Sequence, residues 1–546
     1  MTNYDQPTKN TARRLSLSHA VDLLTQRRDE ACCVPENYVS AVREVLLRCE
    51  NRHDRALASQ LDDNTIESWT RLHRSVNGRK TASDLSVCYL CGPDPTSDLE
   101  TLTGLGVQPQ NIWAFELENR HYQEAISTVR NSGFPYLKVQ KGKIEQFFED
   151  VPRQFDIVYF DACAPLPSNG QKTLQTLSTL FRHHRLNSPG VLITNFSAPD
   201  ADDHELRQRF KFLVSAYLYP KAWLEWDGEA EAENIRLLTQ EGLAFDKQDD
   251  DEETTFSDMV EQNLDSYYSQ YITRQIFDLA VSIIPWNRFC SGGFFEKFFA
   301  GRNSPDFRSA LSIFKEASLD SVVAGLDDEI EDDLDHPMPG LEEPNNNPLF
   351  WTLQLLNGRR GHAQEWRQEW ASVWKQQSAG RGFNADTVEN AIEVIELLRD
   401  YDRFDKEGFK KALKGFTRYG KMFNFCDPVS RHTGFELLLN QVAYPMHYNV
   451  AQTRRWRYTA KTKEMYLDVI PFDECRYLYD WLPTADLLGK GYADLPHQLA
   501  YRFALDGLGK HHHYYHNASS FGGTAVLEFS TPGFGPHSLS PRLLIP

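Results

Sequence analysis

Between residues 85 and 197 short apolar runs alternate with stretches that read as helices, and this alternation restricts the fold more than any other feature of the chain. The runs are LSVCYL (85–90), NIWAFEL (111–117), YLKVQ (136–140), FDIVYF (155–160) and GVLITNF (190–196). Between them lie TSDLETLTGLG, NRHYQEAISTVRNSG, IEQFFEDV and GQKTLQTLSTLFRHHRL. Strand, helix, strand in repetition predicts a parallel sheet with right-handed crossovers. Strands buried on both faces should read as near-continuous apolar runs, and these do. The expected fold class is therefore α/β, with a doubly wound sheet at about 80–240.

In such a sheet ligands bind beyond the carboxyl ends of the strands, so the residues just after each run are the informative ones. The first run is followed by Cys91-Gly92-Pro93-Asp94-Pro95 and the second by Glu116 in AFELEN. Gly142-Lys143-Ile144 follow the third, Asp161-Ala162-Cys163-Ala164-Pro165 the fourth, and Asn195, Phe196 and Ser197 close the fifth. A carboxylate ending the second strand can accept hydrogen bonds from both hydroxyls of a ribose. Glu116 is the candidate, with Glu118 as the fallback; a solvated acid opening the helix at Asn119 is the plain alternative. Cys88 and Cys91, three apart on a strand, should lie on opposite faces. They read as small buried residues rather than metal ligands, and no metal is expected.

These features resemble the class I S-adenosylmethionine-dependent methyltransferase superfamily over about residues 80–200. The resemblance rests on the alternation, on Glu116 in IWAFELENRHYQEA, on KGKIEQFF, and on FDIVYFDACAPLP followed by LNSPGVLITNF. It implies a Rossmann-like sheet that binds S-adenosylmethionine. Gly92 and its neighbours would face the methionine part of the cofactor, Glu116 would hold the ribose, Lys143 and Ile144 would flank the adenine, and Asp161 would face the substrate. Asp94 could accept the methionine amino group or cap the helix that follows. Two chemistries are open at Asp161-Ala162-Cys163. Asp161 could act as base or orienter for the accepting atom. Alternatively Cys163 could attack a base ring, as in cytosine-5 RNA methyltransferases, whose Asp-Ala-Pro-Cys stretch it loosely resembles; a pocket-lining Cys163 is the plain reading.

The first turn holds one glycine where the superfamily usually has Gly-x-Gly. Pro93 and Pro95 fix φ there and remove two donors, and Lys143 stands where an acid is usual. A divergent methyltransferase-like protein is accordingly the first expectation. The second is a catalytically inactive protein that keeps the fold, for example as a nucleotide-binding or scaffold component of a bacterial defence or RNA-processing complex. A nicotinamide dehydrogenase is disfavoured, because no Gly-x-Gly-x-x-Gly follows the first strand.

The chain's 546 residues suffice for two or three domains. The expected division is a helical N-terminal segment (1–80), the Rossmann-like domain (81–240), a helical extension with an acidic linker (241–335) and a separate α+β C-terminal domain (349–546). The opening residues, which include Arg13-Arg14, read as a ragged tail leading into a helix, with no apolar export segment after them. YVSAVREVLLRC (38–49) has helical spacing, and MVEQNLDSYYSQYITRQIFDLAVSII (259–284) a long amphipathic pattern. DKQDDDEE (246–253) and LDDEIEDDLD (326–335) read as solvated loops, and HPMPGLEEPNNNP (336–348) as a boundary. The last region opens with helices carrying Trp351, Trp366, Trp370 and Trp374, and later shows the strand-like EMYLDVIPF (464–472) and TAVLEFS (524–530). No apolar run approaches a membrane span. Nine cysteines in this length form no disulfide framework, so a cytoplasmic location is expected.

Nucleic acid, RNA or DNA, is the expected partner. Arg403, Lys406, Lys410, Lys414, Arg418 and Lys421 fall at steps of three and four. TRRWRYTAKTK (453–463) interleaves Arg454, Arg455, Arg457, Lys461 and Lys463 with Trp456 and Tyr458. Basic charge with aromatics suits phosphates and stacked bases. A basic face docking on the acidic linker, or on a protein partner, fits the same residues. The net charge of −19 argues against bulk coating of DNA. His511, His512, His513 and His516 read as a surface cluster.

Overall fold

The structure is a computed structural model, and it describes residues 7–218 except Pro135, together with 258–282, 446–481, 527, 531–534 and 539–546. The acidic stretches at 246–253 and 326–335, the boundary at 336–348, the four tryptophans, the basic stripe at 403–421 and the histidine cluster all lie outside these residues. So does TAVLEFS apart from Leu527.

The five predicted strands form. They are β1 (Val87–Leu90), β2 (Ile112–Glu116), β3 (Lys138–Lys141), β4 (Phe155–Asp161) and β5 (Leu186–Ser197). The helices between them are α6 (Thr96–Gly104), α7 (Asn119–Asn131), α8 (Ile144–Asp150) and α9 (Thr173–Arg182), preceded by α1 (Pro7–Thr25), α2 (Arg28–Ala31), α3 (Tyr38–Arg48), α4 (Arg52–Gln60) and α5 (Asp63–Asn77). Strands β3, β2, β1, β4 and β5 lie side by side in that order, all parallel. The order reverses between β1 and β4, which opens a crevice above their carboxyl ends. Pro189 and Gly190, at the head of the run GVLITNF, lie inside β5 at an irregularity where the β4–β5 register shifts. A Cβ on Gly190 would stand 2.2 Å from the Asn187 carbonyl oxygen, so only glycine fits there.

The C-terminal stretch departs from the expectation of a separate domain wherever it is described. After α10 (His204–Leu218) and α11 (Leu264–Ser282) come β6 (His447–Tyr448), β7 (Arg454–Ala460), β8 (Lys463–Asp473), α12 (Arg476–Trp481) and β9 (Leu543–Leu544). Strand β8 pairs antiparallel with β5 over Gly190–Ser197, β7 pairs antiparallel with β8, and β9 runs parallel to β7. The cause is apolar surface. β5 is buried along both faces and needs a neighbour beyond it, and β8 is an apolar strand that supplies one. Because β8 alone is reversed, β7 runs with β5 and ends at the same edge.

Period-two alternation sends side chains to two cores. Cys88, Val158, Phe160 and Leu192 face α8–α11. Val87, Tyr89, Ile157, Tyr159 and Ile193 face α1, α6 and α7. Cys91 falls in the second core and Cys88 in the first, as their spacing requires. The helix expected to follow the opening tail begins at Pro7. Helix α1 buries Ala12, Ser16, Leu17, Ala20, Val21, Leu23 and Leu24 and packs on β5, β7, β8 and α6. Among the described residues no helix is long and apolar enough to cross a membrane.

Candidate functional site

The carboxyl ends of β4, β5 and β7 converge with the first turns of α1. Asp161 ends β4 and pairs in register with Asn195 on β5. Asn195 Nδ2 donates to Asp161 Oδ1 at 2.9 Å and to the Tyr458 hydroxyl at 2.7 Å. Lys9, one turn into α1, places its Nζ 2.8 Å from Asp161 Oδ2. Cys163 Sγ donates to Asp161 Oδ1 at 3.1 Å, and Lys9 Nζ lies 3.7 Å from the same sulfur. Arg13, one turn after Lys9, donates from Nε to the buried Asp98 of α6 at 2.6 Å. Lys9 and Arg13, four residues apart on one helical face, thus bind two acids at the mouth of the crevice.

Electrostatics fixes the charge states. Burial disfavours a charged Asp161, but the Lys9 ammonium and the hydrogen bonds from Lys9, Cys163 and Asn195 outweigh it and hold the carboxyl below its ordinary value. Burial likewise opposes the charge on Lys9, and Asp161 and Cys163 outweigh it, so the ammonium is kept. Cys163 is exposed as a residue, yet its sulfur sits between Asp161 and Lys9. Burial and the Asp161 charge push its thiol up to about 12, in spite of Lys9. It is therefore a thiol near neutral pH, unlike an activated nucleophile. Burial also pushes the Tyr458 hydroxyl up.

The proposed cofactor side is built by different elements. Gly92 turns the chain after β1 with φ +59°, and a Cβ placed there would meet nothing within 4 Å. Asp94 is committed locally: Oδ1 accepts from the Thr96 N–H at 3.0 Å and its hydroxyl at 2.5 Å, and Oδ2 from Ser97 at 3.3 Å. It thus satisfies donors in the first turn of α6 from the position before the N-cap, which is Pro95. Glu116 ends β2 half-buried. Its Oε1 accepts the Glu118 N–H at 2.7 Å, and its Oε2 has no hydrogen bond among the described residues. Gly142, φ +135°, donates its N–H to the Glu116 carbonyl at 3.0 Å and carries the chain past β2 to α8. Lys143 is exposed at the start of α8. Ile144 is buried among Phe115, Phe147 and Phe148, so its side chain belongs to the core rather than to the crevice.

No family model matches the chain, and no curated protein matches it. A solved structure similar in part is that of a Staphylococcus aureus protein described as a caffeoyl-CoA O-methyltransferase: 15% identity and a TM-score of 0.16, over 29% of this chain and 71% of that one. Strand order and register make the fold α/β with a mostly parallel sheet, compatible with a Rossmann-like arrangement.

The expected nucleic-acid surface does not assemble as its sequence suggests. Arg455 is buried, donating from Nε to Thr273 Oγ1 and from Nη2 to the Ser269 carbonyl of α11, both at 3.1 Å. Trp456 is buried in the α1 core. Arg454 is half-buried, with Nη1 on the carbonyls of Ala451 and Thr453. Arg457 and Lys461 are exposed, Arg457 lying 3.9 Å from Glu464. Strand alternation sends Arg455 towards α11 and Trp456 towards α1; Arg457 shares the face of Arg455 but lies exposed nearer the end of β7. Lys9 and Arg13 escaped the sequence reading. Their only signal is a four-residue step on a helix whose apolar residues, from Ala12 to Leu24, follow helical spacing.

Proposed function

We propose that the crevice above β1, β2 and β4 binds S-adenosylmethionine and that the chain is a divergent methyltransferase-like protein. The observation that carries this reading is Glu116, a half-buried carboxylate at the tip of β2. One oxygen is anchored by a backbone N–H and the other is presented without a partner among the described residues, which suits the paired hydroxyls of a ribose. The open space over Gly92 suits the approach of a ligand to the backbone. With Asp94 engaged by Thr96 and Ser97, the methionine amino group would be met by backbone carbonyls of the β1–α6 turn. Asp161, kept ionised by Lys9, would orient or deprotonate the accepting atom. Cys163, a thiol about 5 pH units from ionising at neutral pH, would line the acceptor side. For the acceptor we propose nucleic acid, RNA or DNA, engaged by Arg457 and Lys461 near the β7–β8 turn at the same edge.

Calorimetry with S-adenosylmethionine and S-adenosylhomocysteine tests the reading. Binding is expected, and Glu116→Gln should weaken it about tenfold or more, the worth of a charged hydrogen bond. A chain that binds neither ligand overturns the proposal. The second reading, a fold kept without catalysis, draws on the Lys9–Asp161 pair, in which an internal cation already occupies the carboxylate. Methyl transfer lost in Asp161→Asn with cofactor binding retained would exclude it.

A further inference from the structure

The opposite edge of the sheet carries a second cluster, far from the crevice. Cys33 lies between α2 and α3, Asp473 ends β8, and Cys475 follows two residues later. All three are buried, and their sulfur and carboxylate oxygen atoms lie within 4.8 Å of one another. Cys475 Sγ stands 3.7 Å from Asp473 Oδ2. Around a tetrahedral zinc ion, with Zn–S near 2.3 Å and Zn–O near 2.1 Å, a thiolate and a carboxylate oxygen stand about 3.6 Å apart. The donors are thus already spaced for an ion between them.

The carboxylate is also oriented from outside. Oδ1 accepts from Ser188 Oγ at 3.1 Å and from the Cys475 N–H at 3.0 Å. Oδ2 accepts from the Cys33 N–H at 3.0 Å and from the Tyr477 hydroxyl at 2.6 Å. All these hydrogen-bond donors are neutral, and the Arg28 guanidinium acts on the buried carboxylate through space without a hydrogen bond to it among the described residues. Cys475 adopts φ +50°, a left-handed conformation uncommon outside glycine. That turn lets its N–H meet one oxygen of Asp473 while its sulfur meets the other.

We propose that Cys33, Asp473 and Cys475 bind one zinc-class divalent cation, as two thiolates and a carboxylate, with water in the fourth position. Binding releases two thiol protons to solvent, so the dication replaces two protons and the net charge of the cluster is unchanged. The carboxylate gains a cationic neighbour. Ser188 and Tyr477 act as its outer supports. The ion would staple residues 440 positions apart, Cys33 to Asp473, tying the N-terminal helices to the end of β8. The neighbouring group of Asp29, Cys32 and His73 is less suited, because its carboxylate is 58% exposed.

The test uses the full chain purified without chelator, with metal content measured by mass spectrometry and the ion then exchanged for cobalt(II). The expected result is about one zinc per chain and a thiolate-to-cobalt charge-transfer band. Tyr477→Phe should weaken metal affinity about tenfold, and Cys32→Ser should leave occupancy unchanged. Cys33→Ser with Cys475→Ser should abolish the band. If that double variant does not fold, the cobalt spectrum of the wild-type chain and the Tyr477→Phe affinity decide. Absence of both zinc and a cobalt band overturns the proposal. So does a band that survives the double substitution in folded protein, or a Cys33–Cys475 disulfide in the metal-free chain as purified.

Discussion

Replacing Lys9 with methionine removes the ammonium that faces Asp161 while keeping most of the side chain's volume. Breaking a buried ion pair from one side costs about 3–5 kcal/mol. Here the two side chains retain 21% and 10% of their exposure. Asn195 and Cys163 still donate to Asp161 Oδ1, so a cost nearer 2 kcal/mol, roughly 1.5 pKa units on the carboxyl, is expected. The pH dependence has a definite sign. In the wild type the folded Asp161 carboxyl lies below its unfolded value of about 3.9. Its stabilisation is therefore full above that value and is lost as pH falls through the folded one. In Lys9→Met burial acts without the opposing cation, and the folded value rises. The variant's deficit should then be complete at neutral pH and shrink as pH falls below the unfolded value towards the folded one. In thermal melts the deficit at pH 7 should be about 4–8 °C, from 2–4 °C per kcal/mol. Lys9→Arg should recover most of it. A deficit of equal size at pH 3 and pH 7, or none at pH 7, would refute the ion pair as the source.

Three further outcomes follow from the same geometry. Cys163 should alkylate slowly at neutral pH, with a rate that climbs towards pH 12, and more slowly still in Lys9→Met, which removes the cation favouring its thiolate; a plateau below pH 8 in an iodoacetamide time course would contradict this. Arg542→Leu should destabilise by about 3 kcal/mol, because the guanidinium is buried against Asp468, with Nη2 at 3.2 Å from Oδ2, and also donates to Ser269 and Thr273 of α11; denaturant titration reads it, and an unchanged midpoint would sink the assignment. Arg455→Ala should lower the melting temperature whereas Arg457→Ala should shift stability by less than about 0.5 kcal/mol. If Arg457→Ala proves the more damaging to stability, Arg455 is not the buried anchor between β7 and α11 that its hydrogen bonds describe.

The α/β core was legible because buried parallel strands leave a contiguous apolar signature, and FDIVYF and GVLITNF fall inside the observed β4 and β5. Glu116 and Asp161 were legible for the same reason, since strand ends fix where such residues must lie. The partners of the core were not. EMYLDVIPF reads as a strand, but nothing local says that it lies against β5, hundreds of residues earlier. RRWRYTA reads as a basic, aromatic surface when its residues are counted together. Taken alternately, Trp456 and Tyr458 belong to one face and Arg455 to the other, and each face meets a helix. A period-two reading of that stretch would have flagged Arg455 as a buried cation seeking neutral acceptors. Ile144 failed for a simpler reason: a single apolar residue at a helix start can turn to core or crevice, and Phe115 and Phe147 draw it inward.

The reversed strand has a consequence for the site. A β8 parallel to β5 would have put the β7–β8 turn and Tyr458 differently with respect to Asp161. With β8 antiparallel, β7 runs upward beside it and delivers Tyr458 to Asn195, the residue that also holds Asp161. On the other side α1, packed on the same face, delivers Lys9 and Arg13. The Asp161 side of the crevice is therefore assembled from residues as distant as Lys9 and Tyr458, while the Gly92 and Glu116 side comes from neighbouring strand ends. A substitution in the β1–α6 turn, Gly92→Ala for instance, strains φ +59° and should weaken cofactor affinity while leaving the Lys9–Asp161 pair and its pH signature intact. Calorimetry and melts at two pH values separate the two effects. If Gly92→Ala abolishes the pH signature as well, the two halves of the crevice are coupled through β1 and α6, and the division drawn here between them fails.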